Sequence, residues 1–339
     1  MNKILCLALR PALIAVVSFF STSLFASDLI SIGTYNVENL FDTNDDPNKS
    51  DETYLPLSQK KSPSHQKKCK KIRGAARQKE CLTLDWSEEA LAKKIKQLSS
   101  VILSMNQGRG PDVLILAEVE NQNVLDLLNK ELGAAQYRSA VHLDGSDGRG
   151  IDSAILSRFE IADKPKLHAI PYAKDRGGVL NSREILQANF HMPDKKRLTV
   201  FAVHFPAPYH PIEKRQAAFE HLNKIAAELT ADLIIAGGDF NVKAEEDTRL
   251  YRHLAAPHWQ VSHLHGCDTC IGTHYFAPRD SWSFLDAIMV WRKSPWQIAP
   301  ESVAVIHGAD EAELVARKGG KKGKQDISDH FPLYLEIKR

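Results

Sequence analysis

At six places in this 339-residue chain, a strand-length run of apolar residues stops at a carboxylate, a carboxamide or an imidazole. In LIIAGGDFNV (233–242) the run ends in two glycines and then presents Asp239 and Asn241 on either side of Phe240. The run at 29–36 ends at Asn36, with Glu38 two residues on. The run at 111–118 ends at Glu118 and the run at 197–204 at His204. A fifth run, 283–291, carries Asp286, and the last, 331–337, is preceded by Ser328, Asp329 and His330. Buried strands with polar groups at their ends form a rigid scaffold that can aim distant side chains at one point. Each group alone has a plainer explanation. Asp239 and Asn241 can form an Asx-turn, Asn36 and Asp329 can cap turns, and His204 and His330 can be hydrogen-bonded core residues. The repetition at six strand ends is what those explanations leave over.

Further strand-like runs occur at 151–157, 184–191 and 302–307. Helical spacing appears at 87–106, where Leu91, Ile95, Leu98, Ile102 and Met105 share a face behind a capping Asp85 or Ser87. It appears again at 122–132 and at about 211–229, with Pro211 suited to the first turn. Strands outnumber helices and many adjoin in sequence. The expectation is therefore two packed, mostly antiparallel β-sheets with helices outside, not a doubly wound parallel sheet. With 43% hydrophobic residues and no dividing linker, residues 27–339 are expected to form a single domain.

Lys3 and Arg10 precede the apolar stretch PALIAVVSFFSTSLFA (11–26), which ends in small residues. This reads as a secretory signal peptide over 1–26 and implies a secreted or periplasmic protein. A membrane anchor is the competing reading, but Ser18, Ser21, Thr22 and Ser23 interrupt the run, and no other segment approaches the ~18 apolar residues of a spanning helix. Loss of Lys3 and Arg10 brings the formal charge from +2 to zero, so local clusters must carry any case for a polyanionic partner. Cys6 leaves with the signal. Four cysteines in an exported chain suggest two disulfides, and nearness in sequence favours Cys69 with Cys81 and Cys267 with Cys270 among three possible pairings.

The strand ends offer Glu38, Glu118, Asp239, Asp286 and Asp329, the carboxamides of Asn36 and Asn241, and the imidazoles of His204 and His330. An oxygen-rich, thiolate-free set suits Mg²⁺ or Mn²⁺, with Ca²⁺ as a further option, better than a structural zinc site. The histidines are then left for acid, base or phosphate contacts. A hard cation, carboxylates and two histidines together suit transfer of a phosphoryl group to water.

Seven segments resemble, in order, the endonuclease/exonuclease/phosphatase superfamily of divalent-metal phosphodiesterases and phosphatases. They are IGTYNVENLFD (32–42), LAEVEN (116–121), RGIDSAILSR (149–158), VHFPAP (203–208), GGDFNV (237–242), SFLDAIMV (283–290) and ISDHFPLYLEI (327–337). The resemblance implies a four-layer α/β sandwich with the site where two central sheets meet. It implies that Glu118 is the principal metal ligand, with Asn36, Asp329 and Glu38 near the metal. His330 resembles the histidine that contacts the scissile phosphate or activates water, Asp286 the acid that orients it, and His204 a candidate general acid. Asp239 and Asn241 resemble a pair that contacts water and phosphate, and Arg183 stands where deoxyribonuclease-like members carry a phosphate-contacting arginine.

Two stretches depart from that pattern. Residues 57–84 read as an insertion. Residues 60–79 within it hold nine Lys or Arg and no acid. HLHGCDTCIGTH (263–274) places His265, Cys267, Cys270 and His274 at zinc-like spacing, although export favours a disulfide closing the loop. The basic run, with RKGGKKGK (317–324) shortly before Asp329, leans toward a polyanionic backbone held without base reading. The expected function is a sequence-tolerant nuclease acting on DNA more readily than RNA. The alternatives are a sphingomyelinase-like or inositol-phosphatase-like enzyme, or a catalytically silent binding protein on the same fold.

Overall fold

The computed structural model describes residues 29–172, 183–306 and 327–339; the signal-like segment and the RKGGKKGK run lie outside them. In chain order the strands are β1 (Leu29–Leu40), β2 (Val113–Val119), β3 (Ser139–His142), β4 (Asp152–Ser157), β5 (Glu160–Ile161), β6 (Lys166–His168), β7 (Ile185–His191) and β8 (Arg197–His204). There follow β9 (Leu233–Asp239), β10 (Trp259–Val261), β11 (His274–Phe276), β12 (Ser281–Ser283), β13 (Asp286–Trp291), β14 (Gln297–Ile298), β15 (Ala304–Val305) and β16 (Leu333–Lys338). The α-helices are α1 (Pro63–Cys69), α2 (Ala75–Thr83), α3 (Glu88–Ser104), α4 (Gln122–Glu131), α5 (Ile212–Ala227) and α6 (Ser262–His265).

One sheet has the order β14-β16-β1-β2-β4-β3 and the other β10-β13-β9-β8-β7-β5, with β15 and β6 as extra edge strands. Both sheets are mixed: β1–β2 and β8–β9 are parallel pairs, and the remaining pairs are antiparallel. The two sheets stack on a shared core. Val113 and Ile115 of β2 face Leu233 and Ile235 of β9 and Ile288 and Val290 of β13 within it. The alternate residues Leu114 and Leu116 pack outward beneath α3 and α4, while Ile234 and Ala236 pack outward beneath α5. Burial on both faces explains why these strands read as continuous apolar runs rather than alternating ones. The result is four layers, helix–sheet–sheet–helix.

The helices begin where their caps place them. The Ser87 side chain accepts from the Ala90 N–H ahead of α3, and Asn121 accepts from Val124 ahead of α4. Pro211 stands at the cap of α5, one position earlier than the sequence suggested. The expected strand at 283–291 is divided, with β12 ending at Ser283 and β13 starting at Asp286. The break arises because the Leu285 carbonyl turns to accept the Phe240 and Asn241 N–H groups. Within the expected 302–307 strand, Ala304–Val305 pair with β16, and the Ile306 N–H donates to the Pro332 carbonyl. The polar stretch 57–84 holds α1 and α2, whose Cys69 and Cys81 are joined with Cα atoms 5.7 Å apart. Cys267 and Cys270 are also joined, at a Cα separation of 5.2 Å. No described helix is long and apolar enough to cross a membrane.

Candidate active site

The two sheets converge at one end, and glycines make the approach close enough. A Cβ on Gly237 would lie 2.6 Å from Ile115 of the facing sheet. A Cβ on Gly238, at φ +133°, would collide with the Val203 carbonyl of β8. The double glycine therefore lets β9 press against both neighbours before delivering Asp239. On the other sheet, the β1–β2 register breaks between Asn36 and Leu40, and Glu118 sits in the left-handed region at φ 67°. This bulge re-aims the Glu118 carboxylate out of the strand, a backbone conformation costing about 1–3 kcal/mol that the surrounding ladder must hold.

These strand ends meet. Asn36 Nδ2 donates to Asp239 Oδ2 at 3.1 Å and reaches Glu118 Oε1 at 3.4 Å. His204 Nε2 lies 3.6 Å from Asp239 Oδ2 and 3.8 Å from Glu118 Oε1. His330 Nδ1 and Asp286 Oδ2 are 2.7 Å apart, and Nε2 of the same ring points to Asp239 and Asp329, 3.9 Å from an oxygen of each. The Asn241 N–H donates to Asp239 Oδ1 at 2.8 Å, while its amide donates to the Phe205 carbonyl at 2.9 Å. The Asx-turn and the converged site are thus the same structure. Ser328 ties the last segment down, donating to the Asn36 carbonyl at 2.7 Å and accepting from the His330 N–H.

Neighbouring charges divide the two buried histidines. Burial and the nearby Arg183, Arg149 and His330 charges hold His204 well below the ordinary imidazole range. Burial opposes the charged form of His330 as well, but Asp286 and Asp239 overcome it and raise the group well above that range. Asp239 is pushed up to about 7, chiefly by burial; the His330 charge pulls it down and Asp286 pushes it further up. Burial and then the Asp329 charge raise Glu118, against the pull of Arg183, His330 and Arg149.

A cleft of ≈ 760 Å³ opens over this cluster and is lined by Glu118, His204, Asp239, Asn241, Asp329 and His330, with Arg183 on its wall. Asp286 lies beneath, wholly buried, behind His330. Glu38 is placed differently: its N–H donates to Asn36 Oδ1 at 3.0 Å, and the residue lines the neighbouring cleft beside α1 and α2. The catalytic-side cleft also takes Arg77, Arg149, Lys243, Arg279, His274 and the exposed rings of Tyr209 and Phe276, which the strand-end pattern does not single out. Arg149 had a signal as the first residue of RGIDSAILSR. Asp147 positions both arginines, accepting from the Arg149 N–H at 2.8 Å and from Arg183 Nε at 3.1 Å. Of the zinc-like stretch, His265 turns to the Val261 carbonyl and Arg292, while His274 enters the cleft.

The donor set fits a hard divalent cation. Glu118 and Asp329 repel each other across the cleft, and the uncharged Asn36 stands beside Glu118, so a cation held by these three would relieve the repulsion that raises Glu118.

A two-sheet sandwich whose strand ends gather carboxylates and histidines around one open cleft defines a metal-dependent phosphoesterase. The chain belongs to the endonuclease/exonuclease/phosphatase family, whose model matches residues 31–81 and 79–295, and whose members hydrolyse phosphate esters with divalent metals. Similar solved structures include an endonuclease/exonuclease/phosphatase from Beutenbergia cavernae, at 14% identity and TM-score 0.56 over 91% of this chain and 71% of that one. One from Bacteroides vulgatus has 14% identity and TM-score 0.57, covering 91% of this chain and 98% of that one. D. rerio TDP2 complexed with single strand DNA product has 17% identity and TM-score 0.56, covering 92% of this chain and 99% of that one. A search of curated protein sequences returned no match.

Proposed function

We propose that this chain is a secreted or periplasmic, Mg²⁺-dependent nuclease with little sequence preference, acting on DNA more readily than RNA. The observation that carries the reading is the Asp286–His330 pair, 2.7 Å apart, facing Asp239 in a cleft ringed by Arg77, Arg149, Arg183, Lys243 and Arg279. Similarity to a TDP2 complexed with single strand DNA product supports a nucleic-acid substrate, and the signal-like segment over 1–26 supports export.

Asn36, Glu118 and Asp329 would hold the cation, which when bound supplies positive charge at the phosphate oxygens. His330, kept charged by Asp286, contacts a phosphate oxygen of the scissile bond. Asp239, near neutrality in its titration and oriented by the Asn241 N–H, takes the proton of the attacking water. Burial first, and then the charge of the facing Arg183, hold His204 neutral. A phosphate bound between them offsets the guanidinium charge, so the imidazole takes up a proton with substrate and delivers it to the leaving oxygen.

The test incubates the purified chain with supercoiled plasmid, RNA, sphingomyelin vesicles and an inositol phosphate, each with Mg²⁺ and with chelator. Plasmid nicking should require metal and fall by about 10²-fold or more in Glu118→Ala and His330→Ala. Turnover of lipid or inositol phosphate without nicking would replace the nuclease reading, and no turnover of any substrate would leave a binding protein.

A further inference from the structure

The cleft beside α1 and α2 has no part in the chemistry described above. It is as large as the catalytic cleft, each ≈ 760 Å³, and the two meet, because Arg77 and Arg149 line both. They also meet beside Glu118. Asn39 lines the second cleft, and its N–H donates to Glu118 Oε2 at 3.0 Å. A molecule held at Glu118 can therefore continue directly into the second cleft. The wall of that cleft is braced. Helices α1 and α2 are joined through Cys69 and Cys81, and His65 is buried with Nε2 3.2 Å from the Cys81 carbonyl oxygen. Trp86 ties down the base, donating from Nε1 to the Phe41 carbonyl at 3.0 Å and from its N–H to the Leu55 carbonyl at 3.2 Å. Half-buried Tyr54, stacked on Phe41 with ring centroids 4.2 Å apart, and half-buried Ile72 give the cleft apolar surface.

The charges are spread along the cleft. Lys68 and Glu52 pair at 3.0 Å and offset each other. Lys71, in the turn between α1 and α2, and Arg77, near the start of α2, are exposed and have no ion pair among the described residues. With Arg149 they make three cations against the two acids Glu38 and Glu80. Cations carried by a turn, a helix and the loop before β4 suit repeated charges along a chain better than one small anion. Cations that follow a backbone, with apolar surface for bases or sugars, are what a single strand needs.

We propose, resting on the nuclease reading above, that the second cleft carries the stretch of nucleic-acid strand leading away from the scissile phosphate. The enzyme then selects extended strands over dinucleotides and other short esters, and the 57–84 insertion is the element that sets this preference.

The experiment compares a dinucleotide with a DNA strand of about 20 nucleotides, long enough to overfill a typical single-strand site. Cleavage is followed in Mg²⁺ and binding by fluorescence anisotropy in chelator. The wild type should show a KM for the strand at least about tenfold below that for the dinucleotide, since one phosphate contact is worth about that much at ~50 mM salt. Lys71→Glu should raise KM for the strand about tenfold, with its effect on KM rather than kcat, and should weaken strand binding in parallel. Lys224→Glu makes the same change of charge at an exposed position on α5 and should leave the length preference intact. Replacing both Cys69 and Cys81 by serine loosens the wall and should narrow the preference as Lys71→Glu does. Equal KM values for the two lengths, or equal effects of Lys71→Glu and Lys224→Glu, would overturn the proposal and leave the nuclease reading standing. No cleavage of either substrate would remove that reading and the proposal with it.

Discussion

His330 and Asp239 lie 3.9 Å apart, and both are shifted in the direction that holds protons on the folded chain. Asp239 rises from 3.8 to about 7, so the folded protein binds more protons than the unfolded one across that window. Its contribution to stability is complete below pH 3.8 and is lost as pH climbs through about 7. His330 acts with the same sign: its contribution is complete below the unfolded value near ~6.5 and is lost as pH rises through its raised folded value. His204 opposes them, since its lowered value gives stability above ~6.5 that is lost as pH falls. In chelator, the melting-temperature difference between wild type and Asp239→Asn should therefore move against the wild type between about pH 4 and 7. Mg²⁺, which binds the ionised carboxylates of Glu118 and Asp329, should stabilise the wild type more at pH 8 than at pH 5. A pH-independent difference between the two proteins would refute the account of Asp239.

At the scale of elements, the site depends on how closely β9 approaches its neighbours. Gly238→Ala puts a Cβ into the Val203 carbonyl at a φ that L-residues rarely adopt, so it should cost about 2–5 kcal/mol in chemical denaturation. Gly237→Ala clashes with the tip of the Ile115 side chain, which can move, and meets the Ala287 carbonyl at ordinary contact distance, so it should cost less. Equal losses would mean that the β8–β9 contact is not the tight one. The strands themselves were legible because β2, β9 and β13 are buried on both faces and carry unbroken apolar runs. Helices α1 and α2 were not, because polar residues outnumber apolar ones in them and a cross-link rather than an apolar stripe holds them together. The short strands β5, β6, β14 and β15 were equally hidden: two or three residues carry no period.

For the whole molecule, cations are collected in one place while the formal charge without the first 26 residues is zero. Arg77, Arg149, Arg183, Lys243 and Arg279 come from distant segments to one cleft. If about three or four of them neutralise phosphates, log apparent affinity for DNA should fall against log salt with a slope of about −3. Arg149→Ala and Arg279→Ala should each reduce that slope by about one. A flat salt response of nicking would show that these residues do not hold the backbone. Order along the chain was enough to identify the polar strand ends and the layered class, because periodicity and burial are local properties of a run. The bulge at Glu118, the turning of Leu285 that isolates Asp286, the arginines steered by Asp147 and the diversion of Glu38 to a second cleft follow from how sheets pack. Those outcomes depend on contacts between residues far apart in the chain, and no local run of sequence encodes them.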